Sequence, residues 1–332
     1  MLAVQFPALD HLIVTELPRP VPTPGEVVVQ LRAAALNHRD LWIKVGKYAG
    51  LKWPIIPGSD GAGVIADRNG VAGQFAEGDE VIINPGFDWG SNERSQSRSF
   101  SILGLPRDGT LAQFVAVPMA QIARKPTHLD WSEAAALPLA GLTAYRAVFS
   151  RADLKPGEKV LINGVGGGVA LLAMQYAIAH GAEVWVTSSH PAKLDRAVAL
   201  GAKGGFDYNE KGWTKKAQEQ VGGFDVIIES AGGTGFERLI DVAAFGGRIV
   251  FFGATRGDPL SLPMRKVFWK QLSLLGTTMG SPADWQAMVA FVAANQIRPV
   301  VSDVFPLSAA AQAFAVMANG DQFGKVVLTL PD

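Results

Sequence analysis

The chain predicts an α/β fold, a doubly wound parallel sheet joined to a β-rich domain. Three observations carry that reading. Between Lys159 and Gly181 a short apolar strand (Val160, Leu161, Ile162) runs into Gly164, Gly166, Gly167 and Gly168 and then into an apolar helix pattern. Further on, strand and helix patterns alternate, as βαβ units require. The first hundred residues instead read as short strands punctuated by Gly and Pro.

In chain order, Val27–Leu31, Gly63–Ala66, Asp79–Asn84 and Leu111–Val117 alternate or run apolar between turn signals, as strands do. The polar stretch from Gly86 to Asp108 is long for a plain connection and reads as a functional or vestigial lobe. The pattern changes near Ala123. Asp130 or Ser132 is placed to cap an alanine-rich helix. Then follow the strand Lys159–Ile162 with a helix to His180, the strand Glu183–Thr187 with a helix over Ala192–Leu200, and the strand Phe224–Glu229 with a helix over Phe236–Ala244. Strands Arg248–Phe252 and Leu272–Gly276 and an amphipathic helix Ala283–Asn295 complete this part. Val304–Phe305 and Lys325–Leu330 return to β character and are expected to rejoin the first domain. The expected domains are therefore 1–122 with 298–332, and 123–297.

Composition narrows the function. The 332 residues are enough for two domains with a buried core. With 48% hydrophobic and 18% charged residues, the chain reads as a soluble globular enzyme. Thirty basic residues balance thirty acidic ones, so no global field draws nucleic acid or an anionic membrane. The first residues lack a secretory pattern, and the most apolar helix, Val169 to Ala179, is too short to span a bilayer. The expected location is the cytoplasm. There is no cysteine, which removes disulfides, thiolate catalysis and thiolate metal ligands, and the five histidines show no metal-binding spacing. No metal site is expected.

A glycine turn between a buried strand and a helix N-terminus brings backbone N–H groups and the positive end of the helix dipole to a pyrophosphate. An acidic residue at the end of the next strand would grip the adenosine ribose and favour NAD. Here that strand ends in Ser188, Ser189 and His190, with Lys193 beyond, and carries no carboxylate at its tip. Two hydroxyls and a lysine suit a 2′-phosphate, so the expected cofactor is NADPH. The same Ser-Ser-His-Pro run also serves as a cap for the following helix, and both roles can coexist.

The segments PGEVVVQLRAAALNHRDLWIKVGKY, PIIPGSDGAGVI, GDEVI, AALPLAGLTAYRAV, GVGGGVALLAMQYA and the closing GKVVL, in this order over the whole length, resemble the medium-chain dehydrogenase/reductase superfamily. The resemblance implies a GroES-like catalytic domain, completed by the C-terminal strands, and a Rossmann dinucleotide-binding domain. It also implies what is missing. Zinc alcohol dehydrogenases of this superfamily carry a catalytic Cys where this chain has Asn37, and a His–Glu pair where it has Ser59–Asp60. Their third-ligand region corresponds to Leu139–Gly141, and their structural zinc lobe to the cysteine-free 86–108 stretch. Asn37, Asp40 and Tyr48 are similar instead to the zinc-free quinone oxidoreductase and enoyl-reductase branch.

By the same resemblance, Gly164 to Ala170, with Gly166, Gly167, Gly168 and Val169 between them, hold the pyrophosphate. Ser188, Lys193 and Tyr208 match positions that grip the 2′-phosphate, with Ser189 beside them. Ser230 and Ala231, then Gly253 and Ala254, follow later strand ends where ligands bind in open α/β sheets. Thr143, Thr277, Thr278 and Met279 fall near the nicotinamide. Lys325 is a further cofactor candidate, although a lysine before an apolar strand is commonly a solvated edge charge. In relatives the edge strand corresponding to Leu272–Gly276 pairs across a twofold axis, so a homodimer is expected unless the lobe or a helix covers that edge.

Without zinc, alkoxide chemistry lacks its Lewis acid, whereas hydride transfer to a quinone or an α,β-unsaturated carbonyl needs only a donor for the developing oxygen. Asn37 is the expected donor. Asp40 orients Asn37 or caps the local backbone, and Tyr48 either packs under the site or supplies a donor; water can deliver the final proton. The expected activity is NADPH-dependent reduction of quinones or enones. An alcohol dehydrogenase-like enzyme with an unusual metal, and an NADPH-binding sensor without turnover, remain alternatives. Trp42, Tyr48, Trp53, Phe87, Trp89, Phe268 and Trp269 suit a flat conjugated acceptor if they line the site, and the core if they do not.

Overall fold

The computed structural model describes residues 1–331. They form two compact units, Met1–Ala140 together with the residues from Ser281 onward, and Gly141–Gly280. These divisions differ from the expected 122/123 and 297/298, and the packing shows why. The short helix Trp131–Ala136, capped by Asp130 accepting from the Glu133 N–H at 2.8 Å, lies on strands of the β-rich unit. The His128 ring donates from Nε2 to the Ile297 carbonyl at 2.9 Å, and Arg298 pairs with Glu133 at 2.6 Å, which ties the segment before 140 to the segment after 281.

The second unit contains one six-stranded, all-parallel sheet: Lys159–Ile162, Glu183–Ser188, Gly204–Asp207, Phe224–Glu229, Ala243–Phe251 and Ser273–Gly276. Numbered in that order, the strands lie 3-2-1-4-5-6 across the sheet, the doubly wound Rossmann order. The order in which strands are added reverses beside the first strand, and the helix Gly168–Ala179 follows that strand after the glycine turn. Its faces are nearly all apolar because it is buried along most of its length. Leu161, Phe206, Trp213, Phe224, Ile227 and Ile249 lie in the core of this unit.

The third strand and the helix Trp213–Val221 are absent from the sequence-based reading. Gly204-Gly205-Phe206-Asp207 carries a single large apolar side chain, so no apolar run announces it. The helix does carry a signal, since Trp213, Ala217 and Val221 are its buried residues at i, i+4 and i+8.

The first unit centres on a seven-stranded sheet. Its path runs Val301–Pro306, Lys325–Thr329, Glu26–Ala35, Asp60–Asp67, Glu80–Ile83 and Ile122–Arg124, with Phe114–Pro118 pairing to Glu26–Ala35 off that path. The C-terminal strands thus complete the N-terminal sheet, as expected. An additional hairpin, Leu2–Ala8 with His11–Glu16, and the helix Ala310–Asn319 enclose the core around Phe6, Leu31, Ile43 and Phe314. The 86–108 stretch holds only the two-residue strands Gly86–Phe87 and Ser101–Ile102 and packs inward through Phe87, Trp89, Leu103 and Leu105. No helix among the described residues is long and apolar enough to cross a membrane.

Candidate active site

Register in the β-rich unit builds one cluster. Ala35 pairs with Asp60 on one side and with Val327 on the other, and Leu36 N–H donates to the Val326 carbonyl at 2.9 Å. Three segments far apart in sequence therefore end side by side, bringing Asn37, Asp60 and Lys325 together. Lys325 Nζ donates to Asn37 Oδ1 at 2.6 Å and to Asp60 Oδ2 at 2.8 Å, and Asn37 Nδ2 donates to the same Asp60 oxygen at 2.9 Å. The other Asp60 oxygen accepts the Leu139 N–H at 2.7 Å. All three side chains are buried, and Lys325 is only 5% exposed. Its reading as a solvated edge charge is therefore corrected. The apolar strand that follows it lies inside the sheet rather than at an edge.

Asn37 precedes the helix His38–Lys44 in an extended conformation. Asp40, fully buried, accepts the Asn37 backbone N–H at 2.8 Å and the Gly58 N–H at 3.2 Å. Burial raises its carboxyl above the ordinary value, and Arg39 and the backbone donor partly offset that. Tyr48 is half-buried against the core. Its hydroxyl accepts from Arg39 Nε at 3.3 Å, and Arg39 Nη1 donates to Ser59 Oγ at 2.7 Å. Asp60 and Arg39 had no place among the expected site residues. Both stand inside the quoted motifs, but nothing local marks them as buried.

The second unit builds the other cluster. Gly164 has φ +77°, and a Cβ added at Gly164 or Gly167 would meet no protein atom, so the turn faces open space. The N-terminal N–H groups of the helix that starts at Gly168 face the same turn. Gly166 and Val169 lie in the same turn and the first helical turn. Behind it stands a scaffold the sequence-based reading missed. Gly164 N–H donates to Thr187 Oγ1 at 2.9 Å, Thr187 Oγ1 donates to Asn163 Oδ1 at 2.6 Å, and Asn163 Nδ2 donates to Glu229 Oε2. Glu229 Oε1 also accepts the N–H groups of Ala231 and Gly232. Burial pushes the Glu229 carboxyl above its ordinary value, against the pull of these donors.

At the end of the second strand, Tyr208 Oη donates to Ser189 Oγ at 3.0 Å, and Arg256 Nη2 donates to Tyr208 Oη at 3.1 Å. Ser188 is buried and accepts the His190 N–H at 3.2 Å, while Lys193 lies in the first turn of the helix Pro191–Ala199. His190, rather than either serine, is the N-cap residue. Ser230 and Gly253 approach so closely that a Cβ at 253 would sit 2.8 Å from the Ser230 carbonyl oxygen, and Ala254 lies beside them. Thr143 Oγ1 reaches Met279 Sδ at 3.9 Å. Thr277 Oγ1, beyond the last strand with Thr278, is buried without a hydrogen-bond partner among the described residues. An open glycine cradle and an orphaned hydroxyl at the carboxyl ends of the strands fit a dinucleotide. Lys325, expected with this group, belongs instead to the β-rich cluster. Phe268 and Trp269 are 65% and 73% exposed and Phe87 and Trp89 are buried, so these four aromatics are placed on a surface and in a core.

Residues 23–127 match the alcohol dehydrogenase GroES-like domain family, and residues 168–294 match the zinc-binding dehydrogenase family. A zinc-type alcohol dehydrogenase-like protein of Leptosphaeria maculans is 33% identical, over 94% of this chain and 92% of its own. The chain belongs to the medium-chain dehydrogenase/reductase superfamily. The human quinone oxidoreductase, another relative, is 28% identical over 94% of this chain and 91% of its own. A solved NAD-dependent alcohol dehydrogenase is 40% identical with a TM-score of 0.95, each chain covered in full. This medium-chain dehydrogenase/reductase is thus an oxidoreductase that takes a nicotinamide cofactor.

Two of these names carry zinc, and the residues here do not fit the ion. The chain has no cysteine, and among the described residues no group of three His, Asp or Glu could hold a metal. Asp60 is occupied by an ammonium, Asn37 is a neutral amide, and the Ser59 hydroxyl accepts from a guanidinium. Two cations stand where a dication would need anionic ligands.

Proposed function

We propose that this enzyme is an NADPH-dependent reductase of quinones and α,β-unsaturated carbonyls that works without zinc. The observation that carries the reading is the Asn37–Asp60–Lys325 cluster, in which Asn37 and Asp60 stand at positions the family resemblance gives to metal ligation and Lys325 holds both. Bound NADPH would supply the hydride. Asn37 then acts as the donor to the acceptor's developing oxyanion. One Nδ2 hydrogen is held by Asp60, and the amide oxygen is held by Lys325, which fixes the amide in one orientation and polarises it. The second Nδ2 hydrogen is left for the acceptor. Asp40 secures the Asn37 backbone, and Tyr48 lies in the turn segment that follows the helix His38–Lys44.

The preference for NADPH is supported by the absence of a carboxylate at the Ser188–Ser189 tip, by Tyr208 and Lys193, and by the Arg256 guanidinium on Tyr208. A homodimer through the edge strand Ser273–Gly276 is part of the same proposal, since that strand ends the sheet. A second reading, NADH-dependent alcohol chemistry, draws on the 40% identical alcohol dehydrogenase. Steady-state oxidation of NADPH and NADH with a quinone, an enone and an enal, and reduction of NAD⁺ and NADP⁺ with primary alcohols, separates the two. The proposal expects turnover with conjugated acceptors and a preference for NADPH. Turnover confined to alcohols with NAD⁺ would overturn it.

A further inference from the structure

We propose that Arg39 is a positioning residue that makes the Tyr48 hydroxyl the proton donor to the reduced acceptor, an inference that rests on the reductase reading above. The Arg39 guanidinium is buried and meets four neutral oxygens. Nε donates to Tyr48 Oη at 3.3 Å, Nη1 to Ser59 Oγ at 2.7 Å and to the Leu103 carbonyl at 2.7 Å, and Nη2 to the Leu105 carbonyl at 3.5 Å. A guanidinium has no acceptor atom. In its contact with Arg39, Oη can therefore only accept, and the phenol hydrogen must point elsewhere. No described residue takes that hydrogen, so it is left for a bound molecule or for water.

The neighbouring groups leave the Arg39–Tyr48 contact in place. The carboxylate next to Arg39, Asp40, is engaged by the Asn37 and Gly58 N–H groups. The guanidinium carbon also sits 4.9 Å from the centre of the Tyr48 ring. The two backbone carbonyls come from the segment that closes the 86–108 lobe, so the lobe holds Arg39 and Arg39 holds Tyr48.

The step balances. Hydride adds to the β-carbon of the enone, and the C=C electrons become an enolate. The Tyr48 O–H bond breaks, its proton goes to the enolate, and the phenolate left beside Arg39 recovers a proton from water. The cofactor is oxidised and the acceptor reduced by two electrons.

The test compares wild type, Y48F, R39K, R39M and the doubles R39M/Y48F and R39K/Y48F with NADPH and an enone, with NADPH affinity measured by fluorescence. Y48F is expected to lower kcat about 100-fold, within the range for loss of a general acid. R39M is expected to lose about 10-fold or more in kcat with little change in KM, and R39K to regain part of that loss. Each double should fall within about threefold of Y48F, because residues acting through one group are not additive. NADPH affinity should stay within about twofold, which a collapsed scaffold would not allow. Full activity of Y48F, or an Arg39 loss undiminished in the Y48F background, overturns the assignment. If R39M does not fold, R39K alone and with Y48F gives the same comparison. Wild type without turnover on any conjugated acceptor overturns the reductase reading and this inference with it; a normal wild type with unaffected variants overturns this inference only.

Discussion

Lys325 illustrates how a side chain changes meaning once its neighbours are known. Beside Asp60 and Asn37 it is a buried ammonium with two acceptors at 2.8 and 2.6 Å. Removing one member of a buried ion pair strands the other charge. Lys325→Met is therefore expected to lower unfolding free energy by about 3–5 kcal/mol in urea titrations. In the folded fraction, kcat should fall as well, because the Asn37 amide loses its anchor. Asn37→Ala is expected to leave NADPH affinity nearly intact while lowering kcat by about 10²–10³, the usual cost of losing an oxyanion donor. At the other cluster, Ser188→Asp should weaken NADPH binding much more than NADH binding in parallel titrations, since a carboxylate there repels a 2′-phosphate. Equal losses would contradict the 2′-phosphate assignment.

The glycine turn is the element on which the cofactor site depends, and Glu229 is its foundation. Its carboxyl is raised above the ordinary 4.5 by burial. The folded state thus holds that proton more tightly than the unfolded chain. The stability this contributes is fully present below the unfolded value and is lost as pH rises through the raised folded value. Melting temperatures of wild type and Glu229→Gln across pH should show the wild-type advantage shrinking as pH rises. The same variant should weaken NADPH binding about 10-fold, because an amide cannot accept from Asn163, Ala231 and Gly232 together. Much of this element was legible in the sequence. The apolar strand, the glycines and the apolar helix are local patterns. Glu229, Asn163 and Thr187 were not legible, because their bonds join three strand ends and no local spacing marks them. The third strand was hidden for a different reason, as its Gly204-Gly205 start offers no apolar alternation.

For the whole molecule, the sequence showed a β-rich unit, a doubly wound unit and the return of the C-terminal strands, since periodicity and turn residues report these directly. The unit divisions at 140/141 and 280/281 were less accessible, because they depend on which sheet the helix Trp131–Ala136 packs upon. The Asn37–Lys325 contact spans 288 positions and arises from register alone. The edge strand Ser273–Gly276 and the exposed Phe268 and Trp269 are consistent with the proposed homodimer, and light scattering behind size exclusion should return twice the mass of one chain. A metal-free site built on Asn37 and its buried ion pair is the central claim. It is tested most directly by the rate of NADPH-dependent enone reduction before and after exhaustive treatment with a chelator, with metal content measured on the same samples. An unchanged rate in metal-stripped enzyme is the predicted result. A rate that vanishes on stripping and returns with zinc would contradict it.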